Sequence, residues 1–263
     1  MEEPTKYRVS TITCNASITT TIDLLKLFDN INLEEDKGFM WIENGLKKRG
    51  TYPKKRKEST QKKCFDNQIT VIYKYDDGYY PNIKIFRNGN IQMTGIRTEE
   101  DGKKIVDIIT NEIKKISDNC ENLVGNKTTI NNKDFMIRMI NCDFAIPFKI
   151  RRKNLHQMLI SPVYGNTCSF QPLTYPGVKL QFYWNKSQPN NGGICQCTKM
   201  CYGKGNGISD GECKKVTVAI FDSGKILITG ANSFEQVNKA YEFICKVILD
   251  NKEELKKTIT VVQ

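Results

Sequence analysis

Four cysteines crowd into one short stretch, "CQCTKMCYGKGNGISDGEC", at Cys195, Cys197, Cys201 and Cys213. Four thiolates can close a tetrahedral zinc site, although the spacing is not the usual paired Cys-x-x-Cys; reduced thiols in a flexible loop are the other reading. A second stretch, "KKRGTYPKKRKESTQKK" from Lys47 to Lys63, holds nine basic residues against one acidic residue. Such a run should be mobile and drawn to phosphate, with Lys54, Lys55, Arg56 and Lys57 as the phosphate-contact candidates. A nuclear-localisation signal or a merely solvated loop would read the same way. The single histidine, His156 in "RRKNLHQ", has no convincing catalytic neighbour. No nucleophile and base pair, Walker loop or metal dyad stands out, so no enzyme active site is expected.

The whole chain favours a polyanionic partner. It carries 40 Lys and Arg against 29 Asp and Glu, a net charge of +11, which suits nucleic acid, a solvated basic surface being the plainer alternative. Its 263 residues, 39% of them hydrophobic, suffice for one large packed domain or two small ones. No run approaches the roughly 18 apolar residues of a membrane span, and "MEEPTKYRV" lacks the apolar segment of a signal peptide. An intracellular protein with no membrane partner is expected, most of its ten cysteines being buried thiols.

The elements that must position these residues are duplicated. "IFRNGNIQMTGIRTEED" (Ile85 to Asp101) and "IFDSGKILITGANSFEQ" (Ile220 to Gln236) share Ile, Phe, Gly, Ile, Thr and Gly in register. Each reads as a strand hairpin turning through Asn88-Gly89 or Ser223-Gly224. Each then meets a helix start at capping-box spacing, Thr98 with Asp101 and Ser233 with Gln236. The first helix sets Ile105, Ile108, Ile109, Ile113 and Ile116 on one face, and the second Phe234, Val237, Tyr241, Ile244 and Ile248. Upstream, each half opens on a strand, "YRVSTITCNASI" or "DFMIRMINCDFAI", then a helix, "TIDLLKLFDNI" or "KIRRKNLHQML", then a strand at Gln68 to Tyr75 or Gly177 to Trp184. Residues 5–120 and 132–250 form the two halves, 121–131 a linker and 251–263 a tail. The basic insertion covers about 45–63 and the Cys-rich insertion about 185–214.

Each half is therefore an antiparallel sheet with helices on one side. Only one face of such a sheet can meet the helices. The other carries Leu227, Thr229 and Phe221, apolar enough to suggest a partner, unless the two halves bury these faces against each other. The hairpin turn decides where Phe86 points. A two-residue loop pairs it with Ile91 on the helix side, whereas a three-residue loop with a Gly bulge sets it beside Gln92 and Thr94.

These residues resemble the TATA-box-binding protein family. "IFRNGNIQMTG" and "IFDSGKILITG" look like its Ile-Phe-x-x-Gly-Lys-x-x-x-Thr-Gly signature, and "TYPGVKL" looks like its Phe-Pro-Gly segment. With the basic insertion just before "CFDNQ", the pattern most resembles the TBP-like proteins of large DNA viruses. The resemblance implies an α+β fold of two pseudo-symmetric TBP-type repeats, a saddle-shaped antiparallel sheet with helices on its convex face. It implies a general transcription initiation factor that binds and bends promoter DNA through the minor groove. Members of this family are the standard case of apolar side chains wedged between base steps. The matching wedge positions are Phe65 and Phe86, then Tyr175 and Phe221. Thr94 and Thr229 match threonines on the DNA-facing surface, with Gln92 and Leu227 beside them, and Lys225 matches a phosphate-contacting lysine. Tyr7 or Val9 in one half and Ile137 in the other stand where the family has central asparagines, Lys84 where it has an apolar neighbour of the wedge, and residues around Val71 and Gln181 where it has arginines. A strict TATA preference is therefore not implied.

The implied partners are double-stranded, AT-rich promoter DNA, a IIB-type initiation factor and a multisubunit RNA polymerase, with no small-molecule substrate and no cofactor beyond zinc at the four cysteines. The nucleus, a cytoplasmic viral factory or the virion is the implied location. An adaptor or inhibitor of the same fold, with weak, non-specific DNA binding, is the alternative. Neutralising Lys54, Lys55, Arg56 and Lys57 should flatten the dependence of log K on log salt by about 0.9 for each phosphate contact removed, measured by titration with duplex DNA.

Overall fold

The computed structural model describes residues 3–35, 37–53, 67–75 and 78–257. The chain divides into two compact units, residues 11–138 and residues 139–263 together with 1–10. In order, the N-terminal elements are β1 (Arg8–Ile18), α1 (Leu24–Asn30), β2 (Gly38–Asn44), β3 (Lys47–Gly50), β4 (Gln68–Lys74), β5 (Asn82–Phe86), β6 (Asn90–Ile96) and α2 (Glu99–Asn119). Their strands lie antiparallel in the order β3-β2-β4-β5-β6-β1. The C-terminal elements are β7 (Asn132–Ala145), α3 (Arg152–Ile160), β8 (Thr167–Gln171), β9 (Tyr175–Trp184), β10 (Lys214–Ile220), β11 (Lys225–Ala231), α4 (Phe234–Asp250) and α5 (Lys252–Leu255). Their order, β7-β11-β10-β9-β8, repeats the first unit without β3.

Strand alternation builds one core per unit. In the first, Ile12, Cys14, Ala16 and Ile18 of β1 and Ile83, Ile85, Ile91 and Met93 of the hairpin are buried with Ile105, Ile109 and Ile113 of α2. Val178, Leu180, Val216, Val218, Ile220, Ile226 and Ile228 are buried with Val237, Ile244 and Ile248 of α4 in the second. Each buried Val, Leu, Ile or Met among them contributes about 1.5–3 kcal/mol relative to exposure. Both long helices start at the expected caps: Thr98 Oγ1 accepts from Asp101 N and Ser233 Oγ from Gln236 N, while Gln236 Oε1 reaches back to Asn232 N at 2.9 Å. Ile108 is only half-buried; the helical period gives its expected place to Val106.

Four segments differ from expectation. Lys47–Gly50, expected to be mobile, forms the edge strand β3 against β2. Arg49 explains this in part, because its guanidinium donates to the carbonyls of Phe28 and Ile31 at the end of α1, where a helix attracts a cation. Strands β2 and β8 escaped the sequence reading; β2 is an unbroken apolar run, "GFMWI", with no period to separate strand from helix. The segment 121–131 buries Leu123, Val124 and Ile130, and Val124 bridges to Ile22.

The two hairpins close alike. Lys84 pairs with Gln92 and Ile85 with Ile91, leaving a three-residue loop in which Gly89 N donates to Phe86 O at 2.9 Å. In the second, Ala219 pairs with Leu227, Ile220 with Ile226, and Gly224 N donates to Phe221 O at 3.0 Å. Both glycines adopt positive φ, +82° and +85°. Both also lie against backbone: a Cβ on Gly89 would meet Ile18 O at 2.2 Å, and one on Gly224 would meet Ile146 O at 2.4 Å. Gly224→Ala should therefore lose more than about 1–2 kcal/mol of stability, seen as a lower urea midpoint at unchanged slope.

Candidate nucleic-acid interface

The three-residue loops put Phe86 and Phe221 on the side of each sheet away from its helices. In the N-terminal unit, Phe86 lies opposite Gln68, Lys84 opposite Gln92 and Thr70, and Gln92 opposite Asn15. Phe86, Lys84 and Gln92 are half-buried, and Thr94, opposite Asn82 on the same face, is exposed. Asn15, Ser17, Phe86, Asn90 and Gln92 line one shallow depression. Phe65 and Lys54 to Lys57 lie outside the described residues. Val71 is fully buried toward the core, so Thr70 and Ile72 take the neighbouring positions on the other face.

In the C-terminal unit, the rings of Tyr175 and Phe221 stand 5.8 Å apart at 56°. Gly177 makes this pairing possible, since a Cβ there would come within 2.8 Å of the Tyr175 ring and 3.2 Å of the Phe221 ring. Lys179 Nζ sits 3.8 Å from the centre of the Tyr175 ring, a cation over an aromatic face. Across the register, Thr229 opposes Thr217, which opposes Gln181, and Leu227 opposes Ala219 and Asp143. Lys225, at the end of β11, is exposed. Val9 lies between Arg8 and Ser10, which both bind Asp143, and the ring of nearby Tyr7 packs 5.5 Å from Tyr241 of α4.

Sequence reasoning missed Asn15 and Asn141. It matched the family's central asparagines to Tyr7 or Val9 and to Ile137, upstream of the Cys-Asn and Cys-Asp pairs. Yet each first strand carries an asparagine whose buried Oδ1 has no hydrogen-bond partner. Asn15 was visible in the Cys-Asn match; only the strand register shows that it faces the open side.

Asp143 puts an acidic group on the open face of the C-terminal unit. Burial alone would raise its carboxyl, but hydrogen bonds from Ser10 at 2.6 Å and Arg8 at 2.8 Å, with the charges of Arg8 and Lys225, hold it below the usual carboxylate range. The resulting stabilisation is fully present above the unfolded value of about 3.9 and disappears as pH falls through the lowered folded value. Asp143→Asn should therefore lower the denaturation midpoint at pH 7, with the difference from the unaltered protein vanishing in strong acid.

The Cys-rich insertion gathers its thiols. The Sγ atoms of Cys195, Cys197, Cys201 and Cys213 all lie within 4.8 Å of one another, a group able to hold a metal ion. Among the described residues, no helix is long and apolar enough to cross a membrane.

A duplicated antiparallel sheet, with capped helices on one face and aromatic, amide and hydroxyl groups on the other, defines a TBP-type α+β protein. The fold agrees with the solved structure of Methanococcus jannaschii TBP at a TM-score of 0.52 and 17% identity, covering 94% of this chain and 99% of that one. Residues 134–251 match the family described as transcription factor TFIID (or TATA-binding protein, TBP). Over 254 residues it is 30% identical to a TATA-box-binding protein-like protein of Acanthamoeba polyphaga mimivirus, covering 92% of this chain and 64% of the relative. It is also 25% identical over 177 residues to TATA-box-binding protein 2 of Entamoeba histolytica, covering 65% of this chain and 59% of that one. The chain thus spans less than two thirds of the length of these two relatives.

Proposed function

We propose that this protein is a non-enzymatic, TBP-like transcription initiation factor that binds promoter DNA through the minor groove and bends it. The observation that carries this reading is the Tyr175–Phe221 pair: two rings held side by side over Gly177, on the face of the sheet that no helix covers. A flat apolar side chain suits a base step that has been unstacked, and the Tyr175 hydroxyl can remain in water at the rim. Phe86 would do the same work with Phe65 in the first repeat. Thr94, Thr229, Gln92 and the amides of Asn15 and Asn141 would meet the acceptors that A·T and T·A pairs share, favouring AT-rich sites. Lys84, Lys179 and Lys225 supply positive charge to the same faces, Lys225 sharing its charge with Asp143.

The helix side and the two insertions would be left to a IIB-type factor and a multisubunit RNA polymerase. The place of action would be the nucleus or a viral factory. One observation favours the adaptor reading instead: Asp143 sets a carboxylate opposite Leu227, where a phosphate-rich ligand gains nothing from it.

End-labelled duplexes in a fluorescence-transfer titration separate the two. Smooth bending of a site costs about 1–6 kcal/mol, so a sharp bend requires compensating groove contacts. Tight binding with a sharp bend on AT-rich sites is expected, and Phe86→Ala together with Phe221→Ala should abolish the bend with little loss of folding stability. Weak, unbent binding that depends steeply on salt for every duplex would exclude the proposal in favour of the adaptor.

A further inference from the structure

The insertion between β9 and β10 holds together without the usual means. Between Trp184 and Lys214 there is no helix or strand, and the sole buried apolar side chain is that of Cys213. Met200, Tyr202 and Ile208 are all exposed. A segment of about 30 residues with no apolar core normally needs a disulfide or a metal to keep one conformation.

The segment is nonetheless arranged in detail. Asn185 and Asn191 are buried; Asn191 Nδ2 donates to Tyr183 O at 2.9 Å, and Asn185 Nδ2 to Ser209 O at 2.9 Å. The Asp210 carboxylate fixes the turn after Cys197, accepting from Thr198 N at 2.8 Å, Thr198 Oγ1 at 2.6 Å and Lys199 N at 3.2 Å. Residues 203–207 run flat along the β9–β10 hairpin, with Lys215 N donating to Gly203 O at 2.8 Å and Lys186 N to Gly207 O at 2.7 Å. Glycine permits the approach: a Cβ at Gly203 would come within 2.7 Å of Lys215 and 2.8 Å of Tyr183.

Within this framework the sulfurs are gathered together. Cys197 and Cys213 Sγ are 3.4 Å apart, and Cys213 and Cys195 Sγ are 3.7 Å apart. A disulfide needs about 2.0 Å and joins only two sulfurs. A tetrahedron of thiolates about 2.3 Å from a zinc ion has edges of about 3.8 Å, close to what is found here. Neutral and backbone donors already surround the cluster: Asn185 Nδ2 lies 3.6 Å from Cys213 Sγ, and the N–H groups of Gly203 and Cys213 donate to Cys201 Sγ. Such outer bonds orient thiolate ligands and temper their charge.

We infer that Cys195, Cys197, Cys201 and Cys213 bind one structural zinc ion, which clips the insertion onto the outer end of the β9–β10 hairpin. Four soft ligands with no oxygen donor among them favour zinc over calcium or magnesium. Four protein ligands fill a tetrahedral shell, leaving no position for water or substrate, so the ion is structural. The inference is independent of what the open faces bind.

The test begins with elemental analysis of the untagged full-length protein after exchange into chelator-treated buffer. One zinc per chain is expected, and cobalt(II) exchange should give the intense absorption of a tetrahedral tetrathiolate. Cys201→Ser should lower zinc affinity at least about 10-fold, the smallest loss seen even for outer-shell changes, while Cys120→Ser, outside the cluster, should retain one equivalent. Zinc removal should open the insertion to trypsin at Lys199 and Lys204 and leave both repeats folded. If Cys201→Ser fails to fold, the cobalt spectrum of the unaltered protein decides. Protein that holds no zinc, holds iron instead, or shows a Cys197–Cys213 disulfide by mass would overturn the inference.

Discussion

The register of two hairpins governs what each unit can present to a partner. Side chains along a strand alternate between faces, so a slip of one residue would exchange every core position for an open one. The slip is blocked at Gly89 and Gly224, where positive φ and contact with a neighbouring carbonyl leave room for no side chain. With the loops fixed at three residues, Ile85 and Ile220 turn inward to the helices. Phe86 and Phe221, one residue further on, must then turn outward. The same register fixes Thr94, Thr229, Gln92 and Leu227, which sit on the partner strands.

Open faces of this kind depend on help from small residues. Gly177 has no side chain so that Tyr175 and Phe221 can lie over it, and Lys179 caps the tyrosine ring. Bulges recur in the same place in both repeats, at Gly95 opposite β1 and at Gly230 opposite β7. A bulge bends its strand and sharpens its twist, so each sheet is shaped where β6 meets β1 and where β11 meets β7. Asn15 and Asn141, with amide oxygens unanswered inside the protein, stand on those two strands. An unpaired buried acceptor is costly unless a ligand or water answers it, which distinguishes these residues from ordinary strand surface.

The insertions elaborate an edge strand in the first unit and the end of an interior hairpin in the second. The start of the basic one extends the first sheet by β3 and is tied to α1 through Arg49. The Cys-rich one folds back along β9 and β10 by backbone hydrogen bonds rather than by apolar burial. Both enlarge the surface while leaving the duplicated core unchanged.

The internal duplication, both capped helices, both hairpins and the class of fold were legible in the sequence, because each rests on local chemistry: a turn glycine, a capping hydroxyl, a period of two or 3.6 residues. The resemblance of the two Ile-Phe-x-x-Gly segments to a known signature extended that reading to Phe86, Phe221, Thr94 and Thr229. Local chemistry could not find β2, whose apolar run has no period, or β3, whose "KKRG" reads as a solvated loop until Arg49 meets the end of α1. Nor could it place Val71 in the core or the unpartnered amides of Asn15 and Asn141 on their strands, since burial depends on which distant strand lies alongside. The cysteines show the division most clearly. Their spacing along the chain matched no common metal motif, and only the return of the insertion to β10 brought Cys213 within reach of the other three. Distances between residues far apart in sequence are set by the packing of the whole unit, and that is why the tertiary structure alone decided them.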